Sequence, residues 1–116
     1  MAEMPKTLDE VLLDTYSSDS AARRTAIHEL CPCELKFDRA EVWDRLLDLT
    51  RDDDPAVRRV ALHALIDGSP RAREKEVIAS LEILRVDPNV KLRRHARKLL
   101  AHYHRTGRIN VAARRP

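Results

Sequence analysis

Glycine is nearly absent from this chain, two among 116 residues, and that shortage removes any chemistry needing a glycine-rich loop to cradle a phosphate or a dinucleotide. Aromatic residues are almost as scarce: Tyr16, Phe37, Trp43 and Tyr103. A core must therefore be built from Leu, Val, Ile and Ala. Too few rings remain to stack on bases or wedge into a duplex. The two cysteines, Cys31 and Cys33, flank Pro32. Such a pair does not close readily on itself, and with no second pair a disulfide scaffold is excluded. No apolar run is long enough to span a bilayer, and the opening Met1-Ala2-Glu3-Met4-Pro5 lacks the basic and apolar regions of a signal peptide. The chain reads as one cytoplasmic, soluble domain without a membrane partner and without a cofactor.

What the chain does have is a repeat. Shifted by 35 residues, it matches itself without a gap: Ala22-Arg23-Arg24-Thr25-Ala26, Val57-Arg58-Arg59-Val60-Ala61 and Leu92-Arg93-Arg94-His95-Ala96, each closed four residues later by Leu30, Leu65 and Leu100. Upstream, Leu8, Trp43 and Ile78 share one column, and Val11, Leu46 and Leu81 share another three residues on. That spacing is an apolar helix face. Each unit is thus a pair of helices, and three stacked pairs are near the minimum that buries a continuous core.

The segments Asp52-Asp53-Asp54-Pro55-Ala56-Val57-Arg58 and Asp87-Pro88-Asn89-Val90-Lys91-Leu92-Arg93 resemble the turn and second-helix signature of HEAT repeats, in which an Asp precedes an Arg by six positions. The likeness extends over about residues 7 to 104 and includes the phycobilisome-lyase branch of that family. It implies an all-α fold: an α-solenoid of three HEAT-like helix pairs, six helices in a right-handed superhelical stack. It also implies a structural ladder of Arg23, Asp52, Arg58, Asp87 and Arg93, each Arg pairing with the upstream Asp and neighbouring turns. In the first unit Ser17 stands in the Asp column, so the ladder is incomplete there.

On this reading residues 1–6 are an N-terminal extension, the repeats lie at about 7–31, 38–66 and 69–104, and 105–116 is a basic tail in which Ile109 and Val111 can dock on the last repeat. Thr7 with Glu10 and Asp38 with Glu41 are capping boxes for helices over 7–16 and 38–50. Asp19 caps a helix to Leu30, where Pro32 stops it. Asp54 and Pro55 open a helix to Ile66, ended by Gly68 as a left-handed cap. Ser69-Pro70 opens the fifth helix, to Val86, and Asp87-Pro88 the sixth, to Tyr103.

The net charge of +3 conceals a polarity. Residues 1–58 carry 8 Lys and Arg against 14 Asp and Glu, and residues 59–116 carry 14 against 5. An acidic end and a basic end favour an acidic partner at the latter, and end-to-end self-association between copies. Arg24, Arg59 and Arg94 have no core or ladder task and lie one turn from His28, His63 and Lys98. These six recur at the repeat step. The resemblance puts second helices on the inner, concave surface, so the six form a basic stripe there, extended by Arg97, His102 and Arg105. Its ligand is a carboxylate-rich protein segment, or alternatively the phosphates of nucleic acid, held weakly and with strong salt dependence by so short a stripe.

Two metal sites come into question. His28, Cys31 and Cys33 cluster at one helix end as candidate Zn ligands, but a helix end with reduced thiols reads more simply. An iron-binding branch of HEAT-like proteins, similar to deoxyhypusine hydroxylase, uses several His-Glu dyads; here His28-Glu29 is matched only by His63-Ala64 and Lys98-Leu99. With no nucleophile and base set either, the expectation is a non-catalytic protein-interaction adaptor.

Overall fold

A computed structural model describes residues 6–30, 39–68 and 70–109. Among them six α-helices and one short 3-10 turn are found, and no strand. The helices are α1 (Leu8–Asp14), α2 (Ser20–Leu30), α3 (Ala40–Leu49), α4 (Pro55–Gly68), α5 (Glu74–Leu84) and α6 (Val90–Thr106), with the 3-10 turn at Arg71–Arg73. They pack as the pairs α1/α2, α3/α4 and α5/α6. Successive pairs join through α2 against α4 and α3 against α5. This is the small all-α solenoid the repeat implies.

Local chemistry sets most boundaries. Thr7 accepts from the Glu10 backbone N–H at 3.2 Å while the Glu10 carboxylate accepts from the Thr7 N–H at 3.0 Å, a closed capping box that opens α1. Two donors at the helix start are satisfied reciprocally, and the Thr7 N–H together with the Thr7 hydroxyl holds the Glu10 carboxyl below its usual range. Asp19 accepts from the Ala21 N–H and Asp54 from the Ala56 N–H, at 3.1 and 2.8 Å, opening α2 and α4.

Several helix ends differ from expectation. The residue before α3 is Arg39, extended and without a side-chain cap; Asp38 lies outside the described residues, and Glu41 is held instead by the Arg39 guanidinium at 2.8 and 2.9 Å. Such a two-pronged charge-assisted pair is stronger than a single neutral hydrogen bond. Gly68 is the last residue of α4, not a left-handed cap. Pro70 precedes the 3-10 turn, and the fifth α-helix begins only at Glu74 and ends at Leu84. The cap of α6 is Asn89, which accepts from the Leu92 N–H at 3.0 Å, because Asp87 is spent on the Asn89 N–H and on Arg58. At the far end Gly107 takes the left-handed conformation, φ 71°, and its N–H donates to the Tyr103 carbonyl at 2.7 Å.

The apolar columns converge on one core. Val11, Leu46 and Leu81 are buried, as are Ala26, Ala61 and Ala96 and the closing Leu30, Leu65 and Leu100. Each fully buried Leu contributes roughly 1.5–3 kcal/mol. Trp43 is 4% exposed, and its indole N–H is buried with no hydrogen-bond partner among the described residues. Ile109 is completely buried, so the segment after α6 turns back onto the core; Val111, Arg114 and Arg115 lie outside the described residues, as do Cys31, Cys33 and Phe37.

Candidate functional site

The two arginines of each repeat meet different surroundings. Arg23 donates through Nη1 to the Ser17 carbonyl at 2.8 Å, and through Nε and Nη2 to the two carboxylate oxygens of Asp52 at 2.9 and 3.0 Å. Arg58 donates through Nη1 to the Asp52 carbonyl at 2.7 Å and through Nη2 to the Asp87 carboxylate at 3.0 Å, while its Nε lies 2.9 Å from the second carboxylate oxygen as an ion pair without a hydrogen bond. The upstream residue therefore contributes its backbone carbonyl, and the carboxylate comes from the following pair. Both the upstream Asp and the neighbouring turn are engaged, as expected of the ladder, but the upstream Asp gives its carbonyl and not its carboxylate. The ladder bonds pair to pair, with side chains of Arg23, Asp52, Arg58 and Asp87 only 7 to 16% exposed. Arg93 donates to the Asp87 carbonyl at 2.9 Å.

Of the second arginines, Arg59 and Arg94 are exposed, as are His28, His63 and Lys98. Arg24 is half-buried, its Nε is buried without a hydrogen-bond partner among the described residues, and its charge helps to hold the Asp54 carboxyl down, after the Ala56 N–H and a bond to Ser20. His63 lies 2.9 Å from Asp67. The six expected residues are thus unequal: Arg24 and His63 have acidic company, whereas Arg59, Arg94 and Lys98 make no ion pair among the described residues. Of the expected extension, Arg97 donates to the Arg85 carbonyl, His102 is half-buried with a buried Nε2, and Arg105 is exposed.

Sequence periodicity overlooked two residues that complete the surface. A cleft of about 320 Å³ between α4 and α6 is lined by Arg59, His63, Lys91, Leu92 and His95. It exists because these second helices do not approach each other as α2 and α4 do. Lys91 and His95 also border the facet of α6 that carries Arg94 and Lys98, so they join the two halves. They escaped notice because their columns hold Ala21 and Ala56, and Thr25 and Val60, in the other repeats. His95 is exposed, and desolvation at the cleft wall, reinforced by His63 and Lys98, holds its imidazole below its usual value.

Charge separates by helix as well as along the chain. The first helices are rich in acid, with Asp9, Glu10 and Asp14 on α1 and Glu41, Asp44 and Asp48 on α3, whereas α6 contains no Asp or Glu. On the first-helix side, Asp44, Asp48, Arg51 and Glu76 line a second depression of about 410 Å³. Among the described residues no group of three or more His, Cys, Asp or Glu side chains is placed to hold a metal; Cys31 and Cys33 stand outside that set. No described helix is long and apolar enough to cross a membrane.

The family model described as HEAT repeats matches residues 8–101. No curated protein and no solved structure matches the chain.

Proposed function

The chain belongs to the HEAT-repeat family, whose repeats generally serve as protein-interaction scaffolds, and from that premise we propose that it is a non-catalytic adaptor that presents a basic surface to an acidic protein partner. The observation that supports this most is the cation set across the α4–α6 cleft. Arg59 and Lys91 in the cleft and Arg94 and Lys98 on the adjoining facet are exposed and make no ion pair among the described residues, and α6, which carries the last three, has no carboxylate. A solvated surface usually mixes both signs; cations left together lower the cost of desolvating an incoming carboxylate. The aliphatic floor at Leu92 and the stems of the long side chains add apolar contact for a peptide.

The test is capture of partners from native lysate by wild type and by Arg59→Glu/Arg94→Glu, with and without nuclease, at two salt concentrations. The adaptor reading expects a defined protein that survives nuclease and is lost with the double variant. Recovery that disappears with nuclease, and whose salt dependence becomes shallower in the variant, would replace it with binding to the phosphate backbone.

A further inference from the structure

Among the described residues the exposed large apolar side chains are Leu13, Tyr16, Ile83, Val86 and Val90. Scattered singly, such residues would need no explanation. The first four are not scattered. Leu13 and Ile83 share one column of the 35-residue repeat and Tyr16 and Val86 share another three residues on, each 46 to 72% exposed, and the middle repeat holds Asp48 and Arg51 in those columns. The backbone presents the three pairs alike. Thr15, Thr50 and Arg85 close α1, α3 and α5 with φ of -67, -67 and -63°. The N–H groups of Tyr16, Arg51 and Val86 donate to the carbonyls of Leu13, Asp48 and Ile83 at 3.0, 3.0 and 3.4 Å. The ends of the first helices therefore carry a row of three pairs: apolar, then one acid and one base, then apolar. Tyr16 is already set within it, because Arg45 lays its guanidinium 3.6 Å from the ring centroid while donating to the Thr15 hydroxyl and carbonyl at 2.9 Å. The same guanidinium lies 3.9 Å from Asp48. One arginine thus joins the first two members of the row and fixes an aromatic ring without burying it. The depression lined by Asp48, Arg51, Ala79 and Ser80 joins the middle member to α5, one turn before Ile83.

We propose that this row is the interface of a twofold-symmetric homodimer. A half-turn about an axis along the row brings the column of Leu13, Asp48 and Ile83 of one copy onto the column of Tyr16, Arg51 and Val86 of the other, and the reverse. Leu13 then meets Tyr16, Asp48 meets Arg51, and Ile83 meets Val86. Apolar faces apolar and acid faces base at every step. The other twofold, running across the row through its middle, would set Asp48 on Asp48 and Arg51 on Arg51, so the charged pair selects the first arrangement and excludes the second. The apolar ends supply the driving force, with Tyr16 as an anchor that Arg45 has ordered in advance. A wholly apolar partner would strip water from Asp48 and Arg51 without answering either. A second copy answers both. The contact uses no residue of the α4–α6 cleft, so a dimer carries two free clefts and can engage a partner at two acidic segments at once.

Sedimentation velocity tests this on the full chain. From micromolar to submillimolar concentration, wild type should show a growing species near twice 13.3 kDa. Asp48→Arg and Arg51→Asp each set like charges across the axis, and each alone should stay monomeric. An equimolar mixture of the two should give the dimer again, because each chain supplies the sign that the other lost. Val86→Asp should abolish it through the apolar end, whereas Arg59→Glu/Arg94→Glu should dimerise as wild type does, which separates this contact from the cleft. Cooperative thermal unfolding by circular dichroism certifies each fold; a variant that fails is replaced by Asp48→Lys, Arg51→Glu or Leu13→Asp respectively. A wild type that is monomeric throughout, a dimer indifferent to the single charge reversals or to Val86→Asp, a mixture that stays monomeric, or a dimer lost in Arg59→Glu/Arg94→Glu would overturn the proposal.

Discussion

The Asp52 carboxylate receives the Nε and Nη2 groups of Arg23 from the preceding helix pair at 2.9 and 3.0 Å, with the two side chains 11% and 16% exposed. One residue thus fastens two repeats, and it also accepts from the Asp54 N–H at 2.9 Å. Asp52→Ala leaves a largely buried guanidinium without its anion and should cost about 3 kcal/mol. Asp52→Asn, which keeps the turn bond, should cost less. Ser17→Ala loses one exposed hydroxyl contact and should fall within about 0.5 kcal/mol. Urea unfolding of the three variants checks the order. The double variant Arg23→Ala/Asp52→Ala should be less unstable than the sum of its parts, because neither charge is then stranded.

Trp43 fills the α3 side of the core at 4% exposure. Trp43→Ala should cost roughly 3–5 kcal/mol, a large share of the stability of a domain this size. Trp43→Phe should be much milder than the lost volume suggests. It removes a buried indole N–H that has no partner among the described residues, and such a donor costs about 1–3 kcal/mol to bury. Denaturation followed by far-ultraviolet circular dichroism separates the two; a native-like curve for Trp43→Ala would refute the packing role.

The helix pairs and the core columns were legible because both are written at short range. Apolar residues three and four apart define a face, and the 35-residue step repeats Val11 as Leu46 and Leu81. The direction of the ladder was not. An Asp six residues before an Arg in a 35-residue repeat necessarily lies 29 residues after the previous Arg, so one spacing describes both pairings. Only the stacking of α2 on α4 decides that Arg23 reaches Asp52. Lys91 and His95 were missed for the opposite reason: they matter in the one repeat that departs from the pattern, beside a cleft created by the separation of α4 and α6. Helix ends were the least legible: the capping-box spacing does not name Arg39, whose guanidinium holds Glu41.

The two glycines should respond oppositely to alanine. Gly107 has φ 71° and open space around the position of an added Cβ, so nothing would clash and the cost is backbone strain alone. About 1 kcal/mol is expected for Gly107→Ala. Gly68, the last helical residue of α4, should be neutral or stabilised by a few tenths of a kcal/mol, about what helix propensity provides at a terminus. Melting temperatures of the two variants measured side by side test the assignment of the left-handed cap to residue 107.

Acid should weaken the folded state through His95 while favouring the cleft's ligand. Desolvation at the cleft wall, then the neighbouring His63 and Lys98, hold its imidazole below the usual 6.5, so in the window between that depressed value and about 6.5 the unfolded chain binds a proton that the folded chain refuses. Stability from this residue is complete above about 6.5 and is lost as pH falls through the folded value. The wild type should therefore lose stability relative to His95→Gln on acidification across that window, measured by urea unfolding at a series of pH values. An acidic segment in the cleft, facing His95 together with Arg59 and His63 from α4 and Lys91 and Lys98 from α6, stabilises the imidazolium and raises its pKa. Binding must then take up a proton, and affinity must increase as pH falls over the range in which the unliganded fold is weakening. His95→Gln should flatten both dependences. A variant that binds an acidic partner with unaltered pH dependence would remove His95 from the surface, while Arg59→Glu would still report on the rest of it.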